Sequence, residues 1–207
     1  MYKVLVNYNF TPDKDWIGDD YRIFDRSDDG IDHLKDFDPS KITKTTNIGQ
    51  VDYDKLSYLV DNYDNLPDVF LWGKSNLFKF ITQSEYNVVK DNSVFTPLLT
   101  QYHKTYSDIN GPVCYYEKGM YYERNDSWYA NVLDCEYCPS FQNFAKRFHL
   151  PNPRYIPFAP GGNYILTREK VHKYGVDFYD EMRQILPHAI NPGEAHMAER
   201  AYYMIWQ

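Results

Sequence analysis

The chain has 207 residues, 29 acidic against 22 basic, and a formal net charge of -7. That length suits one domain, with or without an appended lobe, and permits an ordinary core. The acidic balance argues against a protein built mainly to grip nucleic acid, whose phosphates demand Lys and Arg. Aromatic residues are plentiful, with 21 Tyr, 12 Phe and 4 Trp. Tyrosine suits half-wet surfaces that stack on sugars or bases, although AT-rich codons also enrich Tyr, Asn, Asp, Lys and Ile. The opening segment Met1 to Asn9 has too short an apolar run for a secretory signal, and no segment has the length to span a bilayer. Three cysteines do not form the even set of a secreted disulfide framework. A soluble cytoplasmic protein is the expectation.

In chain order, Val4-Leu5-Val6 and Tyr21-Arg22-Ile23-Phe24 read as short strands separated by turn signals at Thr11 to Trp16. Their relative direction is not legible. Asp25-Arg26-Ser27-Asp28-Asp29-Gly30 reads as a solvated turn, with a metal or sugar-hydroxyl role as the alternative. Val51 to Tyr63 has helical apolar spacing, ended by Asp and Asn residues and by Pro67. Val69-Phe70-Leu71-Trp72 is apolar without alternation, as in a strand covered on both faces, and Gly73 ends it. Asn76 to Lys90 reads as partly helical, with Leu77, Phe78, Phe80 and Ile81 facing inward. Residues 91–138 read as an irregular insertion of short β-like runs and turns. Phe141 to Phe148 predicts a helix and Tyr155-Ile156 an extended piece. Tyr164-Ile165-Leu166 is a strand, and Thr167 is a helix N-cap. Helices over Val176 to Leu186 and Glu194 to Trp206 close the chain.

Two blocks resemble a family of small, poorly characterised glycosyltransferase-like proteins. One runs from Asn47-x-Gly49 through Asp61-Asn62-Tyr63-Asp64-Asn65-Leu66-Pro67-Asp68 to Val69-Phe70-Leu71-Trp72-Gly73. The other is Pro160-Gly161-Gly162-Asn163-Tyr164-Ile165-Leu166-Thr167-Arg168-Glu169, followed by Phe178-Tyr179 and the helix with Glu194, Glu199 and Arg200. The resemblance covers about half of the chain. It implies a single α/β domain over 1–207 of the Rossmann-like, GT-A-like type, with a mixed central sheet and helices on both faces. It also implies a nucleotide-sugar donor and a hydroxyl acceptor, either a glycan or a modified base. Such enzymes commonly carry Asp-x-Asp after a central strand to hold a divalent metal. Here that strand ends in Leu71-Trp72-Gly73-Lys74. Asp52-Tyr53-Asp54 has the letters, but at a helix start N-terminal capping accounts for it. A Mn2+ or Mg2+ requirement therefore stays open, with no residues assigned to a metal.

Three residues of the last helix, His196, Glu199 and Arg200, share one face by their spacing. As catalytic candidates, Glu194, Glu199 or His196 would serve as base, and Arg200 would neutralise a departing diphosphate. A surface ion-pair cluster is the alternative. Asn47, Gly49, Gly73 and Lys74 are donor-binding candidates; a helix N-cap at Asn47 with an adjacent turn is the alternative, and the favoured one, for Asn47 and Gly49. Asn7 and Asp25 follow the first two strands, where base or ribose would sit. Gly161, Gly162 and Asn163 are candidates for an acceptor-binding cradle or a plain tight turn. Cys135-x-x-Cys138 has half the spacing of a zinc site, which Cys114 and His149 would have to complete; reduced, unligated cysteines are the simpler expectation. A non-catalytic glycan- or protein-binding domain that kept the fold is the alternative to a transferase.

Overall fold

The computed structural model describes residues 1–28, 30–100 and 104–207. The first half comprises β1 (Tyr2–Asn7), α1 (Lys14–Ile17), β2 (Tyr21–Asp25), β3 (Ile42–Lys44), α2 (Gln50–Asp61), β4 (Val69–Lys74), α3 (Gln83–Val89) and β5 (Thr96–Pro97). Then follow β6 (Tyr106–Asp108), β7 (Gly111–Glu117), β8 (Met120–Arg124), α4 (Phe141–Arg147), β9 (Tyr155–Phe158), β10 (Tyr164–Thr167), α5 (Arg168–Val171), α6 (Val176–Gln184) and α7 (Gly193–Trp206).

Six strands form a mixed sheet in the order β3-β2-β1-β4-β10-β5. β3, β2, β1 and β4 are parallel; β10 runs antiparallel to β4, and β5 antiparallel to β10. The chain winds from β1 outward to β3, then crosses through α2 to β4 on the other side of β1. That reversal leaves a crevice at the carboxyl ends of β1 and β4. Alternate residues of the central strands serve two cores. Val4, Phe70, Trp72, Tyr164 and Leu166 belong to the core shared with α2, α6 and α7. Leu5, Ile23, Leu71 and Ile165 belong to the core shared with Ile17 of α1 and Tyr86 of α3. Helices therefore cover both faces, which is why Val69 to Trp72 shows no polar alternation.

The stretch 91–138 is more ordered than its sequence suggests. It supplies β5 to the main sheet and three strands to a second, antiparallel sheet in the order β6-β7-β8-β9; Gln101, Tyr102 and His103 lie outside the described residues, as does Asp29 of the acidic turn. Lys118 and Gly119, both with positive φ (50° and 82°), make the two-residue turn between β7 and β8, a geometry that matches strand twist. Cys114, Tyr121, Ile156 and Phe158 on its inner face join the core that holds α7.

Local signals set the element ends. Lys170 N donates to Thr167 Oγ1 at 3.2 Å, the expected cap. The segment Asn76 to Lys90 is α-helical only over α3, preceded by a 3-10 turn at Leu77–Lys79. A reciprocal Thr82–Glu85 capping box starts α3. At α2 the N-cap is Gly49, with φ 70°, and not Asn47. No helix among the described residues is long and apolar enough to cross a membrane.

A Cβ at Gly49 would lie 2.8 Å from Tyr53 Cβ and 3.2 Å from Leu186 Cβ, on a left-handed backbone. Gly49→Ala should therefore cost about 1–3 kcal/mol, read as a lower denaturation midpoint with an unchanged slope.

Candidate functional site

The carboxyl ends of β1 and β4 border two adjoining cavities. The larger, about 350 Å³, is lined by Tyr8, Arg26, Asn47, Asn76 and Ile190 among others. The smaller, about 170 Å³, is lined by Asp52, Ala195, His196 and Glu199. Gln50, Val51 and Lys74 line both. A wider depression of about 410 Å³ lies at the amino end of β1, around Met1, Lys3 and Trp16. It gathers no buried acidic or basic side chain, so the paired cavities are the stronger site.

Lys74 ends β4 between the two cavities. Its ammonium lies 5.0 Å from the Phe80 ring centre and has no ion pair or hydrogen bond among the described residues. Asp52 and Lys55 are turned inward from the first turns of α2, although capping was the expectation for Asp52. Both are buried. The missed signal is Asp52 and Lys55 at i and i+3 on the face that also carries Leu56 and Leu59.

The surroundings shift these groups in different directions. Burial, reinforced by Glu199, pushes the Asp52 carboxyl above its ordinary range, against the opposing pull of Lys55, Lys74 and the Tyr202 hydroxyl. Burial would raise Glu199 too, but Lys74, Arg200, His196 and the Gly161 amide outweigh it and hold it below its ordinary range. Burial pushes Lys55 down to about 8 against the charge of Asp52. It also lowers His196, which favours the neutral imidazole.

The glycine turn organises this set from inside and does not form an open acceptor cradle. Gly161, Gly162 and Asn163 are all buried. Gly161 N donates to Glu199 Oε1 at 2.7 Å. Lys55 Nζ donates to Gly162 O at 2.6 Å and lies 4.5 Å from the Trp72 ring centre. Lys74 N donates to Asn163 Oδ1 at 2.8 Å. A Cβ on Gly73 would meet that Oδ1 at 2.7 Å, so Gly73 makes room for Asn163 and not for a ligand. Gly49 likewise packs against Tyr53 and Leu186.

Other candidates are engaged elsewhere. Asn7 Nδ2 donates to Asp25 Oδ1 at 3.0 Å, and Asn7 Oδ1 accepts from Ser75 Oγ. Burial works to raise Asp25, but Asn7, Ser27, His33 and Lys44 overcome it and hold its carboxyl low. The pair ties together the ends of β1, β2, β3 and β4, and neither group is free for a ribose. Glu194 is fully buried; its Oε1 accepts from Tyr137 N (2.8 Å) and Cys138 N (2.9 Å), fastening that loop to α7. Arg200 is 4 % exposed and forks onto Glu123, with Nε at 2.6 Å and Nη2 at 2.9 Å from its oxygens. Of the face expected to hold three functional groups, His196 and Glu199 reach the cavity while Arg200 turns towards the second sheet. Its partner, Glu123, was hidden in the stretch that read as irregular.

The donor set does not fit a resident Mn2+ or Mg2+. Among the described residues no three His, Cys, Asp or Glu side chains are placed to hold a metal ion, and the two cavity carboxyls share their surroundings with Lys55 and Lys74. The cysteines are unbridged, with Cys135 and Cys138 each pushed up to about 11, first by burial and then by Glu194. Compared with models of known protein families, with curated proteins and with solved structures, the chain matches none.

Removing the Lys55 amine leaves the buried Gly161 and Gly162 carbonyls without their donor, so Lys55→Met should destabilise the fold by about 1–3 kcal/mol. The folded state holds this amine below its unfolded value. Its contribution is therefore complete above an unfolded pKa of about 10.4 and lost as pH falls through about 8. Denaturation of both proteins between those limits should show wild type gaining stability with rising pH relative to Lys55→Met.

Proposed function

We propose that this chain is a glycosyltransferase of the single Rossmann-like, GT-A-like type, moving a sugar from a nucleotide donor to a hydroxyl acceptor, either a glycan or a modified base. One observation carries the reading: at the switch point of the sheet, Asp52 and Glu199 line one small cavity beside the uncommitted ammonium of Lys74, the first carboxyl pushed above its ordinary range and the second held below it. Two carboxyls with pKa values driven apart in one cavity make an acid–base pair of distinct roles. The strand order, with β1 flanked by β2 and β4 and an antiparallel β10 beyond, supports the fold assignment.

In this reading the larger cavity takes the nucleotide and the smaller one the sugar. Lys74 and the first turn of α2, which no side chain caps, face the diphosphate. The acceptor oxygen forms a bond to the anomeric carbon as the bond from that carbon to the diphosphate oxygen breaks. The electron pair leaves with the diphosphate, whose new charge Lys74 offsets. His196, held neutral, takes the acceptor proton. Glu199, held ionised by its cationic neighbours, stabilises positive charge on the sugar ring. Asp52, in its protonated form, donates a hydrogen bond to a sugar hydroxyl. None of these steps requires Arg200 or Glu194.

A glycan- or protein-binding domain without catalysis is the second reading, favoured by Lys74-Ser75 standing where a metal-binding carboxylate pair would be expected. Nucleotide-sugar hydrolysis and UDP or GDP thermal shifts, with and without manganese, separate the two. Lys74→Met should weaken nucleoside diphosphate binding about ten- to hundred-fold. Glu199→Gln should lower turnover by about 10²–10³ with binding retained. Silence of the wild type across a nucleotide panel contradicts the transferase.

A further inference from the structure

His196 lines the smaller cavity, and two aromatic rings pack against its imidazole. Trp128 opens a 3-10 turn (Trp128–Asn131) and is 41 % exposed, unusual for a residue so firmly braced. Its ring centre lies 5.7 Å from that of His196, the planes at 65°. The buried Tyr129 stacks on the same imidazole at 6.0 Å and 12°. Trp128 Nε1 donates to Glu123 Oε1 at 3.3 Å, and the Arg200 guanidinium lies 5.8 Å from the indole centre. Ser127, in the left-handed region at φ 51°, accepts from Phe141 N on its Oγ at 2.9 Å and fixes the turn behind the ring. Burying the Glu123–Arg200 pair is costly, and the structure spends that cost on holding an exposed indole against the catalytic imidazole.

We infer that Trp128 is the acceptor platform, its exposed face receiving the apolar C–H face of a pyranose so that one hydroxyl meets His196. The inference rests on the transferase reading and names its acceptor class as carbohydrate. An indole offers a broad flat apolar surface with a polar edge, suited to a ligand that is apolar on its faces and hydroxylated at its rim. A nucleobase would also stack on such a ring, but the room for a nucleotide lies on the other side of Lys74, in the larger cavity. This gives the stretch 91–138 a function: it carries both the plate and Glu123, which braces it.

The four Trp of the chain should give four indole N–H signals in an amide-region NMR spectrum, and Trp128→Phe identifies one of them. Methyl glucosides, galactosides and mannosides of both anomers, titrated into UDP- or GDP-saturated wild type, should shift the Trp128 signal for at least one glycoside. In transfer assays with that glycoside, Trp128→Ala should raise the acceptor KM about ten-fold with a smaller change in kcat, and Trp128→Phe should recover most of the loss. A Trp128 signal that no glycoside moves while nucleotide binds, or one that nucleotide alone moves, overturns the inference. So does a loss confined to kcat. Absence of any nucleotide binding removes the transferase reading and this inference with it.

Discussion

The buried turn Gly161-Gly162-Asn163 is the constraint on which the site depends. Three successive residues engage three different functional elements: the Gly161 amide holds Glu199 of α7, the Gly162 carbonyl holds Lys55 of α2, and the Asn163 side chain holds the backbone of Lys74 on β4. Both glycines have positive φ (85° and 63°), so the peptide units can turn outward to these partners where a side chain would strain the backbone. A Cβ on Gly161 would also press within 2.6 Å of the Phe80 ring.

Because the turn leads directly into β10, the antiparallel strand beside β4, sheet and site are specified together. The pairing of Tyr164 with Trp72 brings Asn163 opposite Gly73, where the missing side chain admits it. Lys55 and Glu199, from helices α2 and α7, then meet at one turn with Lys74 beside them. Asp52, Lys55, Lys74 and Glu199 thus stand together, and the shifts of Asp52, Lys55 and Glu199 follow from burial and neighbouring charge. Their electrostatic separation is a product of packing and not of the local sequence around any one of them.

Regular periodicity made much of the fold legible: the apolar run Val69 to Trp72, the helix after Gly49 and the terminal helix all occur close to where the spacing sets them. Thr167 is a local cap, and local signals read well. The second sheet did not, because tyrosines at 115, 116, 121 and 122 occupy both of its faces and erase the alternation that marks a half-buried strand. Of the groups that line the smaller cavity, His196, Glu199 and Lys74 are legible as candidates from position and helical spacing. Asp52 was read as a capping residue because its sequence context is that of a helix start; its inward orientation depends on Tyr202 and Lys55, which only the tertiary structure brings near. Asn7 and Asp25 were correctly located at strand ends, but their mutual hydrogen bond and the ring of donors around Asp25 could not be inferred from either strand. Arg200 and Glu194 had the right chemistry for a site and were claimed by Glu123 and by the loop at Tyr137, partners far away in the chain.

The proposed chemistry depends on unequal treatment of two similar groups. The carboxyl on α2 is surrounded by burial and a second negative charge, and the one on α7 by cations and a backbone amide. A carbon-13 NMR titration of the aspartate and glutamate carboxyls, with Asp52→Asn and Glu199→Gln as assignment references, tests this directly. Asp52 should titrate above and Glu199 below the ordinary carboxylate range. Titration of both near the unperturbed value of about 4 would contradict it.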